Sequence, residues 1–241
     1  MNFLTADKGG KRRKEITAKG AGGRRNRSGR ITRAKILDAA EQVFAEKGIN
    51  GSSLREIMIT AGVNIAAVNY YFGSKAGLLR AVIQRRYSDI NGKRLALLDA
   101  AVRAGGGVAS VEAWLTAYLT PFIEAEGNSD PGWRNFMRVL YSIVTTRDAM
   151  CAEIEQEVYN ELRLSFTEAL CAALPEVDRE EISWRYYCVV GVTRWCLSAR
   201  DRGASLSKGV IDPSDLDRMM AHIIPFLTAG LKASPRIKCP N

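Results

Sequence analysis

The chain has 241 residues, 46% of them hydrophobic, and a net charge of +9 at pH 7. This length accommodates one large domain or two modest ones around a real core. No apolar run approaches the ~18–20 residues that cross a bilayer, and the charged N-terminus lacks the apolar stretch of a secretory signal, so we expect a cytoplasmic protein without a membrane segment.

Positive charge is concentrated at the N-terminus. Residues 1–30 contain ten of the 35 Lys and Arg residues but only two acidic ones, Asp7 and Glu15, so the rest of the chain is close to neutral. Because this stretch is rich in Gly and poor in large apolar residues, residues 1–29 are predicted to form a disordered basic tail. The tail either contacts nucleic-acid phosphates or is a solvated extension. Residues 235–241 are predicted to be a second disordered tail.

The residues that catalysis or metal binding would need are scarce. The five cysteines form no CxxC pair, and His222 is the only histidine. Neither a GxSxG motif nor a phosphate-loop motif is present. A zinc site or a Ser-His-Asp triad is therefore not expected. We predict that the protein has no cofactor, no metal site and no enzymatic activity.

Three helical patterns follow the basic tail. Residues 32–47 carry an apolar stripe with helical spacing, and a glycine follows it. Ser52 or Ser53 can cap a second, short helix that ends at a glycine turn. Asn64 can cap a third helix of two turns, residues 65–72. Two short helices across a tight glycine turn, preceded by a longer helix, are typical of the helix-turn-helix motif.

The third predicted helix has one apolar face and one unusual outer face. Val68 and Phe72 lie within about 40° of each other on a helix that advances 100° per residue, so they define the inward face. Alanine methyls allow close approach to base edges, asparagine can pair with adenine, and tyrosine hydroxyls can reach phosphates. This pattern favours a helix that enters a DNA groove over an ordinary surface helix. The outward and flanking positions are Ala66, Ala67, Asn69 and Tyr70.

Residues 31–80 resemble the DNA-binding domain of the TetR family of transcriptional regulators, over all three helices and the start of a fourth. The resemblance implies a DNA-binding domain at residues 30–75. One departure from the family pattern is Ile59, an apolar residue on an outward face for which we have no physical account. Together with the outward Ala66, the positions that the resemblance assigns to DNA contact are Ser53, Arg55, Ile65, Ala67, Asn69, Tyr70, Tyr71 and Lys75.

The remainder of the chain is helical by pattern and shows no strand-like alternation. Asp130 and Asp212, each followed by proline, are typical of helix starts, and Gly203 is expected to end a long helix. The predicted fold class is all-α: an N-terminal three-helix helix-turn-helix DNA-binding domain, followed by a helical-bundle ligand-binding and dimerisation domain at residues 76–234.

Three stretches, SLREIMITAGVNIAAVNYYFGSK, FMRVL and IIPFLTAGLKA, are similar to the fatty-acid-responsive PsrA-type subgroup of the TetR family. That similarity implies a small, long and apolar effector with a carboxylate or thioester head. The aromatic residues of the second domain either pack its core or line an apolar cavity. Arg138 and Arg194 are candidate anchors for an acidic head, or ordinary ion-paired arginines. The other candidate pocket residues are Trp114, Tyr118, Phe122, Trp133, Phe136, Met137, Tyr141 and Phe166.

Two apolar stripes with spacings of three and four residues lie on the last two long helices. We predict that they form a two-fold, four-helix contact between two copies of the chain; packing within one chain is the alternative. The stripes are Trp184, Tyr187, Gly191 and Trp195, and Met219, Met220, Ile223 and Phe226.

These patterns predict a homodimeric regulator, acting as a repressor, that binds a palindromic operator in double-stranded DNA. A small apolar effector, a fatty acid or an acyl-CoA, is expected to release it. Two alternatives stay open at this point. One is a DNA-binding regulator of the same fold with no small-molecule effector. The other is a helical enzyme, against which the single histidine and the missing nucleophile motif argue.

Overall fold

The computed structural model describes residues 12–146, 148–198, 200–212 and 214–234, and the side chains within them except for residues 12–26, 65, 144–145 and 200–201. Within these ranges every regular element is a helix, which confirms the all-α fold class. The helices are α1 Arg12–Gly51, α2 Leu54–Ala61, α3 Ile65–Phe72, α4 Lys75–Ala104, α5 Val111–Glu126, α6 Pro131–Thr145, α7 Ala149–Ala173, α8 Arg179–Ser198, α9 Arg200–Leu206 and α10 Leu216–Lys232.

The short helices α2 and α3 begin and end at local capping signals. Ser53 accepts a hydrogen bond from the Glu56 amide, and the Glu56 carboxylate accepts one from the Ser53 amide at 3.1 Å, so α2 starts with a capping box. The Asn64 side chain accepts a hydrogen bond from the Ala66 amide at 3.1 Å and caps α3. Gly62, with a φ of 64°, ends α2 in the left-handed conformation that favours glycine. The predicted helix-turn-helix is therefore confirmed.

The long helix α4 connects this unit to the remaining helices. Its 30 residues span about 45 Å at 1.5 Å per residue. Its buried stripe runs from Leu78 to Leu98 and belongs to one contiguous core. That core includes Phe44 and Val68 of the helix-turn-helix unit as well as Trp114 of α5. A displacement of α4 would therefore change the packing in both halves of the molecule.

A buried carboxylate on α1 joins the helix-turn-helix unit to α4. Glu41 is only 2% exposed and accepts hydrogen bonds from Arg86 Nε at 2.9 Å and from Arg86 Nη2 at 3.1 Å. Arg85 Nη2 lies 2.5 Å from Glu41 Oε1 as an ion pair, and Arg85 Nη1 donates to Asp38 at 2.7 Å. Two adjacent arginines thus neutralise one buried charge, as a buried carboxylate requires.

Arg86 also reaches the start of α6. Its guanidinium lies 5.0 Å from the centre of the Trp133 ring, and its Nη1 is 3.6 Å from Asp130 Oδ2. A Cβ atom on Gly132 would lie 2.2 Å from Arg86 Nη2, so a larger residue here would force the end of the Arg86 side chain to move. We call Glu41, Arg86 and Trp133 the junction, because they connect α1, α4 and α6.

The structure differs from the predicted N-terminal tail. Residues 12–29 continue α1 as a helix, although they were expected to be disordered. Lys and Arg have good helix propensity, and a helix that has already nucleated beyond this stretch can extend into it. Residues 1–11 and 235–241 lie outside the described residues, and so does that part of the tail prediction.

Two predicted boundaries near the C-terminus are wrong. Gly203 lies within α9, Arg200–Leu206, so it does not end a helix. The last helix begins at Leu216, because Asp215 caps it by accepting from the Arg218 amide. Asp212 instead accepts from the Ser214 amide at 2.8 Å, a local turn that competes with helix capping. Pro213 lies outside the described residues.

A pair of glycine substitutions tests the junction. Gly132→Ala should lower the free energy of unfolding by about 1–2 kcal/mol, because the added methyl forces Arg86 away from its partners. Gly92→Ala is the control, since a Cβ there meets nothing within 4 Å and α4 is continuous through it. It should stabilise by about 0.5–1 kcal/mol. Urea unfolding followed by circular dichroism gives both values; equal effects of the two variants would refute the tight contact.

Candidate DNA-binding surface and regulatory interior

The outer face of α3 is exposed as the sequence predicts. Val68 is fully buried, whereas Ala66 and Asn69 are exposed and Tyr70 is 82% exposed. The Tyr70 ring meets the Tyr71 ring edge-on, with centroids 5.0 Å apart. The exposed face therefore offers a carboxamide and a phenol next to a methyl group.

Tyr71 and Lys75 are less free than the resemblance implies. Tyr71 is half-buried, and its Oη would lie 3.1 Å from a Cβ placed on Gly29 of α1. Lys75 Nζ donates to the Ser52 carbonyl at 2.6 Å and so fastens the start of α4 to the loop before α2. Ala67 is half-buried against the core. These three residues hold the reading helix in place, whatever else they contact.

The start of α2 lies beside this face. Ser53 is engaged in the capping box, while Arg55 is exposed. Lys47 of α1 donates to Glu56, and this hydrogen bond, followed by those from Ser53, lowers the pKa of the Glu56 carboxyl. The side chain of Ile65 lies outside the described ones. Arg55 is thus the exposed cation that α2 contributes next to α3.

The interior of the second domain contains a packed aromatic cluster. The Trp114 ring stacks on Tyr118 with centroids 5.7 Å apart and meets Phe166 edge-on at 5.4 Å. Trp114 Nε1 donates to the Phe166 carbonyl at 2.8 Å, which satisfies the buried indole. Tyr186 completes the cluster, 5.9 Å from Trp114. Three of the predicted pocket residues, Trp114, Tyr118 and Phe166, therefore lie together, but they pack against one another in the core and do not line a pocket.

A buried arginine that the sequence reasoning missed lies at this cluster. Arg94 of α4 is 2% exposed; its Nε donates to the Tyr118 carbonyl at 2.7 Å and its Nη1 donates to Tyr87 Oη at 3.1 Å. Its guanidinium lies 4.4 Å from the Tyr118 ring centre and 5.1 Å from that of Phe122. Arg94 follows Ile90 by one helical turn and precedes Leu98 by another, so a charge within an apolar stripe was the signal available in the sequence.

Two further tyrosines extend this polar network. The Tyr87 and Tyr159 rings lie 4.6 Å apart, and Arg194 lies 5.3 Å from the Tyr159 ring centre. Burial raises the pKa of Tyr87 well above its ordinary value and also raises that of Tyr159, so both hydroxyls stay protonated at neutral pH. Arg194 Nη2 donates to Glu155 at 2.6 Å. Arg194 therefore already has a carboxylate partner.

Several predicted pocket residues lie elsewhere. Arg138 is exposed on α6, because its neighbours Met137 and Val139 take the buried positions; it is therefore not an interior anchor. Trp133 packs under Arg86 at the junction, with Phe136 beside it at 5.7 Å between ring centres. Tyr141 is half-buried and donates to Glu126 at 3.0 Å. The predicted set thus divides between the aromatic cluster and α6.

Two cavities are described. One of about 650 Å³ lies between α4, α5 and α6, with Ile90, Lys93, Pro121, Glu124 and Trp133 among its lining residues. The other, of about 520 Å³, lies between α8, α9 and α10 and includes Trp195, Arg202, Met219 and His222 in its wall. The first of these cavities adjoins both the junction, through Trp133, and the helix that carries Arg94.

An exposed apolar surface covers α8, α9 and α10. The predicted α8 stripe is exposed throughout, and Phe226 of α10 is exposed with it. The prediction that Ile223 belongs to the dimer stripe is wrong. Ile223 lies on the inward face with Leu227 and Leu231 and packs into the core. Met219 and Met220 are half-buried. The sequence reasoning missed three exposed apolar residues in and after α9, which are Leu206, Val210 and Ile211.

A three-helix reading unit joined by a long helix to an all-helical second domain defines a helix-turn-helix transcriptional regulator. Residues 36–82 match the family model described as bacterial regulatory proteins, tetR family, and residues 116–230 match the tetracyclin repressor-like C-terminal domain. The chain belongs to the TetR family of transcriptional regulators. The subgroup resemblance is not specifically supported by these matches.

Curated relatives match over a short part of the chain. The chain is 41% identical over 56 residues to the probable regulator YttP of Bacillus subtilis, which covers 23% of this chain and 27% of that protein. It is 46% identical over 54 residues to the repressor BepR of Brucella suis, covering 22% and 26%. The chain therefore matches about a quarter of the length of these relatives.

Solved structures share the fold over most of the chain. The fatty acid degradation regulator FadR of Bacillus halodurans aligns with a TM-score of 0.62 and 16% identity, covering 84% of this chain and 97% of that one. FadR of Bacillus subtilis, in complex with stearoyl-CoA, aligns with a TM-score of 0.57 and 15% identity, covering 82% and 98%. At such identities the likeness establishes the fold.

Two negative observations concern the described residues alone. None of their helices is long and apolar enough to cross a bilayer. They also contain no group of three or more His, Cys, Asp or Glu side chains that could hold a metal ion.

Substitutions of two adjacent tyrosines on α3, Tyr70 and Tyr71, distinguish contact with DNA from packing within the protein. Tyr70→Ala should leave the free energy of unfolding within about 0.5 kcal/mol, because the side chain is exposed. It should still weaken binding to DNA that the unchanged protein selects from a random-sequence pool. Tyr71→Ala is the matched control and should lower stability by about 1–3 kcal/mol through lost packing. Thermal unfolding and fluorescence anisotropy measure the two effects; unchanged DNA affinity of Tyr70→Ala would contradict the assignment of this face.

Proposed function

We propose that this chain is a homodimeric repressor that binds an inverted-repeat operator and is released by an apolar effector of the fatty-acid or acyl-CoA class. The observation that carries the proposal is the exposure of Asn69 and Tyr70 on a helix whose opposite face is fully buried. A short rigid helix with such a face suits insertion into the major groove.

The DNA contacts follow from what each exposed group can do. Asn69 can form two hydrogen bonds to adenine, and the Ala66 methyl can pack on a thymine methyl. Tyr70 and Arg55 flank these positions and can reach phosphates, which fix the register of the helix without specifying sequence. Lys75 fastens the start of α4 to the loop before α2 through the Ser52 carbonyl, and Tyr71 of α3 lies close to Gly29 of α1, so both help to position α3.

The apolar surface on α8, α9 and α10 supports a two-fold dimer. Trp184, Tyr187 and Trp195 are all more than half exposed, as is Phe226 on the neighbouring helix. Large aromatic side chains in one contiguous exposed patch mark an interaction surface. A second copy supplies the same patch, so an isologous contact covers both at once. Gly191 lies within the patch and has open space around it, which allows two helices to approach closely.

The effector class is supported by the fold and by the interior. FadR of Bacillus subtilis, which has the same fold, forms a complex with stearoyl-CoA. The groove of about 650 Å³ has a size typical of small-molecule sites, and Ile90, Pro121 and Trp133 supply its apolar part. The rest of its lining is exposed and largely polar, formed by Ser88, Asp89, Lys93, Glu124 and Asn128. Because Trp133 also contacts Arg86, a ligand in this cavity touches the junction. Its binding can then shift α1 relative to α4 and change the separation of the two reading helices.

Hydroxyl-radical footprinting of the full chain on selected DNA tests this function. Two reading helices related by a two-fold axis should protect an inverted repeat whose half-site centres are about 10 base pairs apart, or a multiple of that. A single asymmetric protected site would contradict the proposal.

The variant Trp195→Asp tests the dimer. A charge in the apolar surface should shift the protein to a monomer in sedimentation and should weaken operator binding at least tenfold, with each reading unit still folded. Leu164→Asp is the matched control, because Leu164 is a comparably exposed residue on α7, outside that surface. If both variants dimerise like the unchanged protein, the surface on α8, α9 and α10 is not the interface.

A further inference from the structure

Three exposed arginines follow one another at three-residue intervals on α1. Arg27, Arg30 and Arg33 are all exposed, and α1 is a regular helix through this part. Residues three apart are neighbours on a helix surface, so the three side chains form one basic row along a flank of α1. The ion pairs among the described side chains all involve other cations. We call these three residues the arginine row.

The arginine row lies beside the C-terminal end of the reading helix. The Arg33 guanidinium is 5.3 Å from the centre of the Phe72 ring, at the last residue of α3. Tyr71 Oη would lie 3.1 Å from a Cβ placed on Gly29, whose neighbour in α1 is the second arginine of the row. The exposed Tyr70 ring meets the Tyr71 ring, with centroids 5.0 Å apart. The row therefore continues the exposed surface of α3 onto α1.

The shape of DNA determines what a basic surface in this position meets. The major groove is about 12 Å wide, and an α-helix with its side chains is about 10–12 Å across, so a helix inserted in the groove fills it. A second helix packed against the end of the inserted one then lies over the sugar–phosphate strand that borders the groove. Arginine carries a permanent charge on a long side chain and binds phosphate through two parallel N–H groups. The arginine row thus suits DNA phosphates in position and in chemistry.

The charge distribution of the chain supports the same partner. Most of the net charge of +9 is contributed by residues 1–30. Positive charge that is exposed and has no acidic neighbour attracts a polyanion such as DNA. The row also precedes residues 36–82, the part that matches the tetR family model, so that match assigns it no role.

We propose that the arginine row binds the phosphates that border the major groove entered by α3. The DNA-contact surface then extends from α3 onto the N-terminal part of α1. This inference rests on the proposed function, because it adds a second part to the DNA contact of the same reading unit. Phosphate contacts fix position without specifying sequence. The row therefore raises the affinity for any duplex and leaves the preference for the operator to α3.

The test removes two charges of the row in the full chain. Arg27→Gln/Arg30→Gln places good helix formers on an exposed face, so the fold should persist. Arg33 stays in place because it also packs on Phe72. Fluorescence anisotropy measures the affinity for selected DNA and for a scrambled duplex between about 50 and 200 mM salt.

Arg27→Gln/Arg30→Gln should bind both duplexes at least tenfold more weakly at the lower salt concentration. The slope of log K against log salt should become shallower by about one for each lost contact, up to about four for a dimer. The ratio of the two affinities should stay within about threefold, because base contacts are unchanged. Ethylation of phosphates at the groove edge should block binding of the unchanged protein and no longer affect the variant.

Two matched variants separate the charge contact from other effects. Arg27→Lys/Arg30→Lys keeps both charges and should retain most of the affinity and slope, since lysine binds phosphate as a point charge. Arg103→Gln/Arg163→Gln removes as many exposed charges at a distance from α3, and should bind both duplexes normally. Arg103 ends a stretch of α4 that extends about 42 Å from Lys75. Arg163 lies one turn beyond Tyr159, which packs on Tyr87 near the middle of α4.

The outcomes distinguish a failure of this inference from a failure of the proposed function. Equal affinities and slopes for Arg27→Gln/Arg30→Gln and the distant control would overturn the inference and leave the inverted-repeat operator intact. An equal loss in the lysine variant would also overturn it, because the role of the row would then be structural. A loss of operator preference would contradict a phosphate contact. If the unchanged protein protects no inverted repeat but Arg27→Gln/Arg30→Gln still flattens the slope on any duplex, the proposed operator fails and the arginine row stands.

Discussion

The buried carboxylate of Glu41 determines how the two halves of this molecule are joined. A charge in that position needs a positive partner, and both Arg85 and Arg86 of α4 supply one, so α1 is tied to α4. The Arg86 guanidinium also stacks on the Trp133 ring, so the position of α6 depends on the same arginine. Helix α1 of the helix-turn-helix unit, the connecting helix α4 and Trp133 in the cavity wall are therefore joined through one ionic contact. In a TetR-family regulator, such a contact is where a change in the interior can reach the DNA-binding surface.

A second buried charge lies on the same helix. Arg94 lies two helical turns beyond Arg86 on α4, so one helix holds a charge at the junction and a second at the aromatic cluster. The first is paired, whereas the second has no carboxylate in the described part of the chain. A ligand in the groove lined by Ile90 and Trp133 would act on this same helix, which is tied to α1 through Arg86. This arrangement gives the two sites a physical route for coupling, which is what a ligand-controlled switch needs.

The sequence predicts what depends on near neighbours. The caps at Ser53 and Asn64, and the buried face of Val68, follow from residues within one or two turns. The pairs Glu41–Arg86 and Arg94–Tyr118 join residues 45 and 24 positions apart, and no local pattern specifies such partners. Exposed aromatic stripes on α8 are visible in the sequence for the same local reason, whereas the choice of Ile223 as core depends on how α10 rotates against its neighbours.

The most direct test of the coupling is the operator affinity of the full chain with and without saturating stearate, in the unchanged protein and in Arg86→Met. Glu41 keeps Arg85 in this variant, so the fold should persist. The ratio of the two dissociation constants should fall at least about fivefold in Arg86→Met, while stearate affinity without DNA stays within about twofold. An identical ratio in both proteins would show that the junction does not transmit the effect of the ligand to DNA.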